Sequence, residues 1–276
     1  SKEIKEPYTD AKLITFYTYD NFGNRISVSM RGSGGGSDVR TLSTKYDFDG
    51  KFPVQIINPL GHTEIRKYDP KYGEVISLTD ANGLITEWEY DSLGRKVKET
   101  RPDNTVTTWL YVWSDSSESG VSNTVYKITE KTSGLPAVMT YYDAFARIIR
   151  NKTTGFDGRT IYQDTQYNEF GEETAITLPY FESETAHWIS TDYDILGRKI
   201  KITKPGSYGG KALTSISYDG LSTVQTNALG QTKSTVKNIL DKVVRINEEE
   251  GAGVEYFYDA KGNLVKTNAS GIITSL

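Results

Sequence analysis

Carboxylates are the side chains whose spacing could support chemistry in this sequence. An Asp directly follows a Tyr at eight places, and Glu248-Glu249-Glu250 contains a Glu-x-Glu triplet. Clustered carboxylates can bind Ca²⁺, and ADP-ribosylating enzymes use a Glu-x-Glu pair. However, the Asp residues lie at turn starts about one strand pair apart, and the triplet lacks the upstream Arg and Ser-Thr-Ser strand of those enzymes. We therefore expect turn residues here, without a metal site.

Nucleophiles and other metal ligands are scarce. The sequence has no Cys and two His, His62 and His187. The lack of Cys excludes disulfides, thiol catalysis and Cys-ligated zinc. Neither His has a neighbouring Ser/Asp pair or a second His, so each is expected on the surface or in packing. Because no nucleotide, hydrolase or metalloprotease signature occurs in its proper context, we expect no enzyme and no cofactor.

The amino-acid composition limits the size of the hydrophobic core and the kinds of partner that the chain could bind. The chain has 276 residues, a net charge of −4 and only 36% hydrophobic residues, among which 19 Tyr stand out. So few aliphatic side chains argue against a thick two-layer core, and a small acidic charge argues against a nucleic-acid partner. No run of about 18 apolar residues occurs, so no membrane span is expected. The first residues do not resemble a signal peptide, which predicts a fragment or another export route.

The Tyr-Asp pairs belong to a repeat that positions all of these groups. In its fullest form the pair is followed by two variable residues, Gly and Arg, and three successive Tyr residues, Tyr46, Tyr68 and Tyr90, are 22 residues apart. Tyr218-Asp219 is a shorter copy, and Tyr167-Asn168 is a near copy. The motif residues singled out are Tyr19, Asp20, Tyr46, Asp47, Tyr68, Asp69, Tyr90, Asp91, Gly94, Arg95, Tyr142, Asp143, Arg147, Tyr193, Asp194, Gly197, Arg198, Tyr258, Asp259 and Gly262.

A second pattern lies between the Tyr-Asp sites. It also has Asx at its start and Gly three residues later, as in Asn58–Gly61 and Asn227–Gly230. Asx at the first position and Gly at the fourth are typical of a type I turn. The six to nine residues between turns alternate and are rich in Thr, Val, Ile, Tyr and Trp, which favours strands. The sequence thus predicts an all-β fold, a long antiparallel meander spanning residues 1–276.

Aromatic side chains suggest how such a sheet is stabilised. A Tyr before the turn and an Arg after it, such as Tyr90 with Arg95, could face each other across the hairpin. A guanidinium over a phenol ring contributes about 0.5–1 kcal/mol of stability when exposed. Successive units would then place Tyr beside Tyr as a ladder of rings. Alternatively, Trp88 and Trp188 could join the Tyr residues in a surface that stacks on sugars.

Two segments depart from the repeat. Residues 31–37 have the composition of a Gly/Ser linker, which we interpret as an engineered join between 1–30 and 40–276. The span from Trp109 to Val138 fills the long gap between Tyr90 and Tyr142 and contains SDSSESG. We expect an exposed loop or the tip of a long hairpin there.

These motifs resemble the RHS/YD-repeat family over nearly the whole chain. The resemblance is carried by the Y-D-x-x-G-R repeats and by connectors such as NALGQT and ANGLIT. Two longer stretches, Leu178–Asp194 (LPYFESETAHWISTDYD) and Ser217–Thr232 (SYDGLSTVQTNALGQT), resemble the repeat region of the B component of bacterial insecticidal toxin complexes.

The resemblance implies a fold and a function. The fold would be a curved or spiralling single-layer sheet, a fragment of a secreted hollow shell that encapsulates a toxic polypeptide and helps deliver it in virulence. The implied partners are that enclosed polypeptide or a further repeat chain of the same shell. The alternative is a module that binds carbohydrate or a cell surface, as in adhesive relatives. The self-cleaving core of many family members is not found, so no residue inherits that role.

A strip cut from a spiral would have an outer strand at each end whose backbone groups are unpaired on one side. Two strands with unpaired backbone groups invite edge-to-edge pairing. We therefore expect self-association through the sheet edges, or edges shielded by termini and loops.

Overall fold

The computed structural model describes residues 2–5, 12–32, 39–248, 251, 253–259, 261–269 and 271–275. Most of the Gly/Ser segment at 31–37, from residue 33 onward, therefore lies outside the described residues. The chain divides into two compact units. Unit 1 contains Ser1–Val112 and Ile128–Val138, and unit 2 contains Trp113–Lys127 and Met139–Leu276.

Short strands account for most of the described residues in the first half of the chain. They are β1 (Lys2–Lys5), β2 (Lys12–Tyr19), β3 (Arg25–Gly32), β4 (Arg40–Tyr46), β5 (Pro53–Ile57), β6 (Thr63–Tyr68), β7 (Val75–Thr79), β8 (Ile85–Tyr90), β9 (Lys96–Thr100), β10 (Val106–Trp113), β11 (Tyr126–Thr132) and β12 (Val138–Tyr142). Strands β1 to β10 pair consecutively and always antiparallel. This ladder is the meander that the alternating sequence predicts.

The second half continues in the same manner. Its strands are β13 (Ile148–Thr154), β14 (Thr160–Tyr167), β15 (Glu173–Thr177), β16 (Tyr180–Phe181), β17 (Trp188–Tyr193), β18 (Lys199–Pro205), β19 (Lys211–Asp219), β20 (Ser222–Thr226), β21 (Thr232–Lys237), β22 (Val243–Glu248), β23 (Gly253–Tyr258), β24 (Leu264–Ala269) and β25 (Ile272–Ser275). Each pairs antiparallel with the next, except that short β16 pairs with β14, so that β15 meets β17. The prediction of an all-β antiparallel meander is confirmed.

The Asx turns close the hairpins as their composition predicts. In the turn after β8, Oδ1 of Asp91 accepts the backbone N–H groups of Leu93 at 2.9 Å and Arg95 at 3.0 Å. Gly94 has φ +78°, a left-handed conformation that strains any residue with a Cβ. The register shifts by one residue just before Tyr90, which marks a β-bulge beside the turn. The same shift precedes Tyr46, Tyr68, Tyr142 and Tyr193.

The sheet has very little apolar interior. Among the described residues, the buried hydrophobic side chains are Tyr141, Ile149 and Tyr162, all in unit 2. The other buried strand residues are polar, such as Thr15, Thr107 and Thr177, and most of the remaining strand residues are half-buried or exposed. Low aliphatic content is therefore the composition of a sheet with little interior to fill.

The long gap between Tyr90 and Tyr142 holds more structure than an exposed loop. Strand β10 runs to Trp113, and a single helical turn, α1 (Ser116–Ser119), follows with Asp115 as its N-cap. The side chains of Ser117 and Glu118 are exposed, whereas Ser119 and Thr124 are buried. Apart from α1, the described residues contain one short 3₁₀ turn, Ser207–Gly209. Among the described residues, no helix has the length and apolar character needed to cross a membrane.

Candidate functional site

Contacts between consecutive repeats form the recurring site of this molecule. The Tyr that precedes a turn in six repeats, and Tyr111 within β10, donate their hydroxyls to a backbone carbonyl of the preceding hairpin. The acceptor is always the first residue of the strand that follows the preceding turn. These bonds join Tyr68 to Pro53, Tyr90 to Val75, Tyr111 to Lys96, Tyr167 to Ile148, Tyr193 to Glu173, Tyr218 to Lys199 and Tyr258 to Val243, at 2.8–3.2 Å.

Arginine completes this contact in three repeats. The guanidinium carbon of Arg147 lies 4.7 Å from the ring centroid of Tyr167 in the next repeat. Its Nε and Nη2 donate to Oδ2 of Asp143 at 2.7 Å and 2.6 Å. Each Arg is thus held by the Asp of its own turn and covers the Tyr of the following one. We call this set the Asp–Arg–Tyr link; its three copies are Asp91–Arg95–Tyr111, Asp143–Arg147–Tyr167 and Asp194–Arg198–Tyr218.

This geometry corrects the pairing that the sequence suggested. The cross-strand partner of Tyr90 is Lys96, and that of Tyr193 is Lys199, so Arg95 and Arg198 do not face the Tyr of their own hairpins. The bulge shifts the register by one residue, and the Asp carboxylate pulls the guanidinium toward the turn. Tyr19 and Arg25 are opposite each other in the register, but the guanidinium carbon of Arg25 lies 5.7 Å from the ring centroid of Tyr17.

The expected ladder of Tyr rings is also modified. Rings stack directly where Phe52 meets Tyr68, with centroids 4.9 Å apart. Phe52 occupies the Arg position of its turn, because its carbonyl accepts the N–H of Asp47 as that of Arg95 accepts the N–H of Asp91. A planar group from one repeat therefore covers the Tyr of the next, and that group is more often Arg than Tyr.

The turn carboxylates are held in their charged form. The pKa of Asp91 lies below its usual value chiefly because the backbone N–H of Arg95 donates to it, and that of Asp194 is lowered in the same way by Arg198. Burial raises the pKa of Asp143, but hydrogen bonds from Arg147 and Phe145 outweigh this, and the net shift is downward. Asp143, with its side chain 5% exposed, is the most buried of the three. The carboxylates thus act as anchors for the guanidinium groups.

The remaining motif Asp residues cap their own turns. Asp20 accepts the N–H groups of Phe22 and Asn24, and Asp259 accepts those of Lys261 and Asn263. Asp47 and Asp69 do the same for the residues that follow them. Throughout the described part of the chain, no three His, Cys, Asp or Glu side chains lie close enough to hold a metal ion.

One cluster in unit 2 has no counterpart in the sequence prediction. Arg150 donates from Nε and Nη2 to the two carboxylate oxygens of Asp164, at 2.5 Å and 2.7 Å, with both side chains about nine-tenths buried. Its Nη1 donates to the carbonyl of Ser119 in α1 at 2.8 Å. The hydroxyl of Tyr180 donates to Asp164 at 2.7 Å. Burial, followed by this bond, raises the pKa of Tyr180 to about 12.

This buried ion pair fastens α1 and β16 onto strands β13 and β14. The ring of Tyr162 lies 4.3 Å from the guanidinium carbon of Arg150, and its hydroxyl donates to Glu182 at 2.9 Å. Arg150 and Asp164 lie directly opposite each other on β13 and β14, 14 residues apart in the chain, and the repeat motif includes neither of them. A weak signal existed in the sequence, since Asp164 is the only charged residue of β14, whereas β13 carries Lys152 as well as Arg150. The fully paired arrangement leaves no free nucleophile or base among these groups, which suits a structural clasp.

The two Trp residues considered for sugar stacking have different surroundings. Trp88, in unit 1, shares a sheet face with Tyr90; its indole N–H donates to Glu99 at 2.9 Å, and the Lys96 ammonium lies 5.3 Å from its ring. Trp188, in unit 2, alternates with Tyr193 and so lies on the opposite face from that Tyr, 36% exposed. Among the contacts seen, a cation lies over the ring of Trp88 and none lies over the ring of Trp188.

Comparisons with known proteins agree with this architecture. Residues 68–106 match the family described as RHS Repeat. The crystal structure of TcdB2-TccC3 superimposes with a TM-score of 0.62 over 97% of this chain, at 14% identity. The Photorhabdus luminescens Tc holotoxin pore matches 96% of the chain at 14% identity, with a TM-score of 0.42. This chain spans 17% of the length of each of these chains. No curated protein matches.

Fold and repeat contacts together define an all-β repeat protein built from stacked YD hairpins. The resemblance drawn from the sequence is confirmed: residues 68–106 match the RHS Repeat family, and the fold of the chain is like that of the toxin-complex structure TcdB2-TccC3.

Proposed function

We propose that this chain is a non-catalytic wall segment of a secreted RHS-repeat shell, which encapsulates a toxic polypeptide and helps to deliver it. The observation that carries the proposal is the Asp–Arg–Tyr link, because at three places it ties one hairpin to the next through side chains as well as through the strand ladder. A wall must resist bending and opening, and repeated side-chain links stiffen a sheet that has almost no core. The match in fold to TcdB2-TccC3 supports the same role.

The partner in this role is the polypeptide inside the shell, or a further stretch of repeat wall. Both sheet faces in the described residues are rich in hydroxyl and charged side chains. Such a surface offers an enclosed chain few apolar patches on which to aggregate. The wall would thereby separate its cargo from the outside without binding it tightly.

A protease-protection experiment tests the proposal on the complete protein that contains this segment. Proteinase K is added at increasing concentration, and the survival of each segment is followed by mass spectrometry. We expect one internal segment to persist at concentrations that remove exposed loops. Replacement of Arg95, Arg147 and Arg198 together by Ala should expose that segment at a lower protease concentration. The control is Arg245→Ala, whose side chain is 54% exposed and pairs with Glu255. Uniform digestion of all segments in the unaltered protein would refute encapsulation.

A module that binds carbohydrate or a cell surface is the second candidate. The supporting observation is Trp188, whose ring is partly exposed on the face away from the Tyr–Arg contacts. Binding to immobilised glycans distinguishes the two candidates, as described among the predictions below.

A further inference from the structure

The turns along one border of unit 2 carry large apolar side chains that nothing in the unit covers. In an antiparallel meander, alternate turns lie on the same border of the sheet. The turns that follow β12, β14, β17, β19 and β21 therefore share one border. Their apolar residues and exposed fractions are Phe145 79%, Phe170 80%, Ile195 101%, Leu196 70%, Leu221 51%, Ile239 89% and Leu240 67%. We call these seven side chains the apolar border.

Turn geometry does not require apolar residues at these positions. The middle positions of a type I turn accept most residue types. The backbone hydrogen bonds are made by the Asx residue and Gly, as when Asp194 accepts the N–H groups of Leu196 and Arg198. A polar residue at position 195 or 196 would close the hairpin equally well. Five consecutive border turns with apolar tips thus form an exposed apolar stripe, which usually marks an interaction surface.

The border has a regular spacing. Neighbouring strands are about 4.8 Å apart, so turns on one border recur about every 10 Å. A second row of tips with the same spacing can fit between those of the first. The border of a second copy of this chain, built on the same strand spacing, provides that period throughout its length.

Most of the turn starts on this border are neutralised or uncharged. Asp143 is paired with Arg147, and Asp194 with Arg198, each at 2.6–2.7 Å. The turns after β14 and β21 begin with Asn168 and Asn238, which are uncharged. The exposed Glu169 and Asp219 add negative charge to the same border, so the apolar tips must outweigh the repulsion between these carboxylates when two borders meet.

The apolar area of the border is close to that of a stable interface. Two Phe and five aliphatic side chains offer on the order of 700 Å² of apolar surface, from the usual area of each side chain. A stable protein interface buries about 800 Å² per partner. The apolar border with its adjoining turn backbone approaches this value.

We propose that the apolar border of unit 2 is a self-recognition surface, which binds the apolar border of a second copy of this chain through interdigitated turn tips. The contact is lateral and differs from hydrogen-bonded pairing at the outer strands of the sheet. It does not depend on whether the shell encloses a cargo.

Sedimentation velocity of the chain from about 1 to 200 µM tests the contact. We expect reversible dimers that Ile195→Asn combined with Leu196→Asn weakens at least tenfold. Phe156→Asn is the matched control, because Phe156 is an equally exposed turn residue, at 113%, on the opposite border. Far-UV circular dichroism establishes that each variant folds. A monomer across the whole range, or dimers unchanged in the double variant, would overturn the proposal.

Cysteine cross-linking locates the contact, because the chain has no Cys of its own. Leu196→Cys should form a disulfide-linked dimer under mild oxidation at least tenfold faster than Phe156→Cys. Ile273→Cys, on β25, reports pairing at the outer strand instead, since Ile273 is 59% exposed. Preferential cross-linking through Ile273→Cys would overturn the lateral contact. So would sedimentation of the chain with phosphatidylcholine vesicles, abolished by the double Asn variant, in a protein that stays monomeric.

Discussion

Arg147 lies between two repeats: it pairs with Asp143 in its own turn, and its guanidinium carbon sits 4.7 Å from the ring centroid of Tyr167 in the next. The same guanidinium also donates to the carbonyl of Asn168 at 3.4 Å. One side chain therefore joins a turn, a strand end and the following turn. This explains how a sheet with almost no apolar core keeps its hairpins in a fixed order.

A double-mutant cycle on this contact gives the first prediction. Arg147→Ala should lower the free energy of unfolding by about 1–3 kcal/mol, because it removes charge-assisted bonds to a mostly buried Asp143. Combined with Tyr167→Leu, the two changes should couple by about 0.5–1 kcal/mol, measured by urea denaturation. Arg147→Ala with Tyr218→Leu is the control, since Tyr218 contacts Arg198 instead. Additivity in both cycles would show that Arg147 does not link the repeats.

The buried ion pair of Arg150 gives the second prediction. Asp164→Asn should destabilise unit 2 by about 3–5 kcal/mol, because a guanidinium 12% exposed loses its counter-charge. Asp157→Asn removes a similar pair with Arg159, whose side chains are 51% and 47% exposed, and should cost less than about 1 kcal/mol. Thermal unfolding followed by circular dichroism compares them. Equal losses would mean that burial of the Arg150 pair adds nothing.

Alkaline stability depends on Tyr180. Its pKa is raised to about 12 by burial and by the bond to Asp164, whereas an unfolded Tyr titrates near 10. Because the folded state favours the neutral phenol, this contribution is fully present below about pH 10 and is lost as the pH rises through about 12. The melting temperature of Tyr180→Phe should therefore fall less steeply over that window than that of the unaltered chain. Parallel curves would rule out the linkage.

Ala146 stands where the other full repeats have Gly, and it has φ +60°. A left-handed Ala costs about 1–2 kcal/mol, while Gly loses about 0.4–1 kcal/mol more backbone entropy on folding. Ala146→Gly should thus stabilise the chain by about 0.5–1 kcal/mol in urea denaturation. Gly230→Ala should act in the opposite direction, because Gly230 has φ +84° and no atom within 4 Å of an added Cβ. Destabilisation by Ala146→Gly would contradict strain at this turn.

A glycan array tests the wall against the binding module. A passive wall predicts no saturable binding by the chain at micromolar concentration. Saturable binding that Trp188→Ala abolishes, while Trp88→Ala leaves it intact, would favour the module. The comparison is informative because Lys96 covers the ring of Trp88, whereas the ring of Trp188 is partly exposed.

Fold class and turn positions could be predicted because their causes are local. Asp91 caps residues two and four positions ahead, and Gly94 supplies the left-handed φ within the same turn. Such contacts recur with the repeat and need no knowledge of distant residues. The partner of Arg95 could not be predicted in this way, since it depends on a bulge that moves Lys96 opposite Tyr90. A shift of one residue decides which ring the guanidinium reaches.

By itself, then, the sequence determined an antiparallel meander of YD hairpins, because alternating strands and Asx-x-x-Gly turns act through neighbours in the chain. Only the tertiary structure decided how the hairpins are fastened to each other. Arg150 meets groups 14, 30 and 31 residues away in Asp164, Tyr180 and Ser119. The repeat pattern does not predict such a cluster, because α1 and β16, which contribute Ser119 and Tyr180, lie outside the repeat motif.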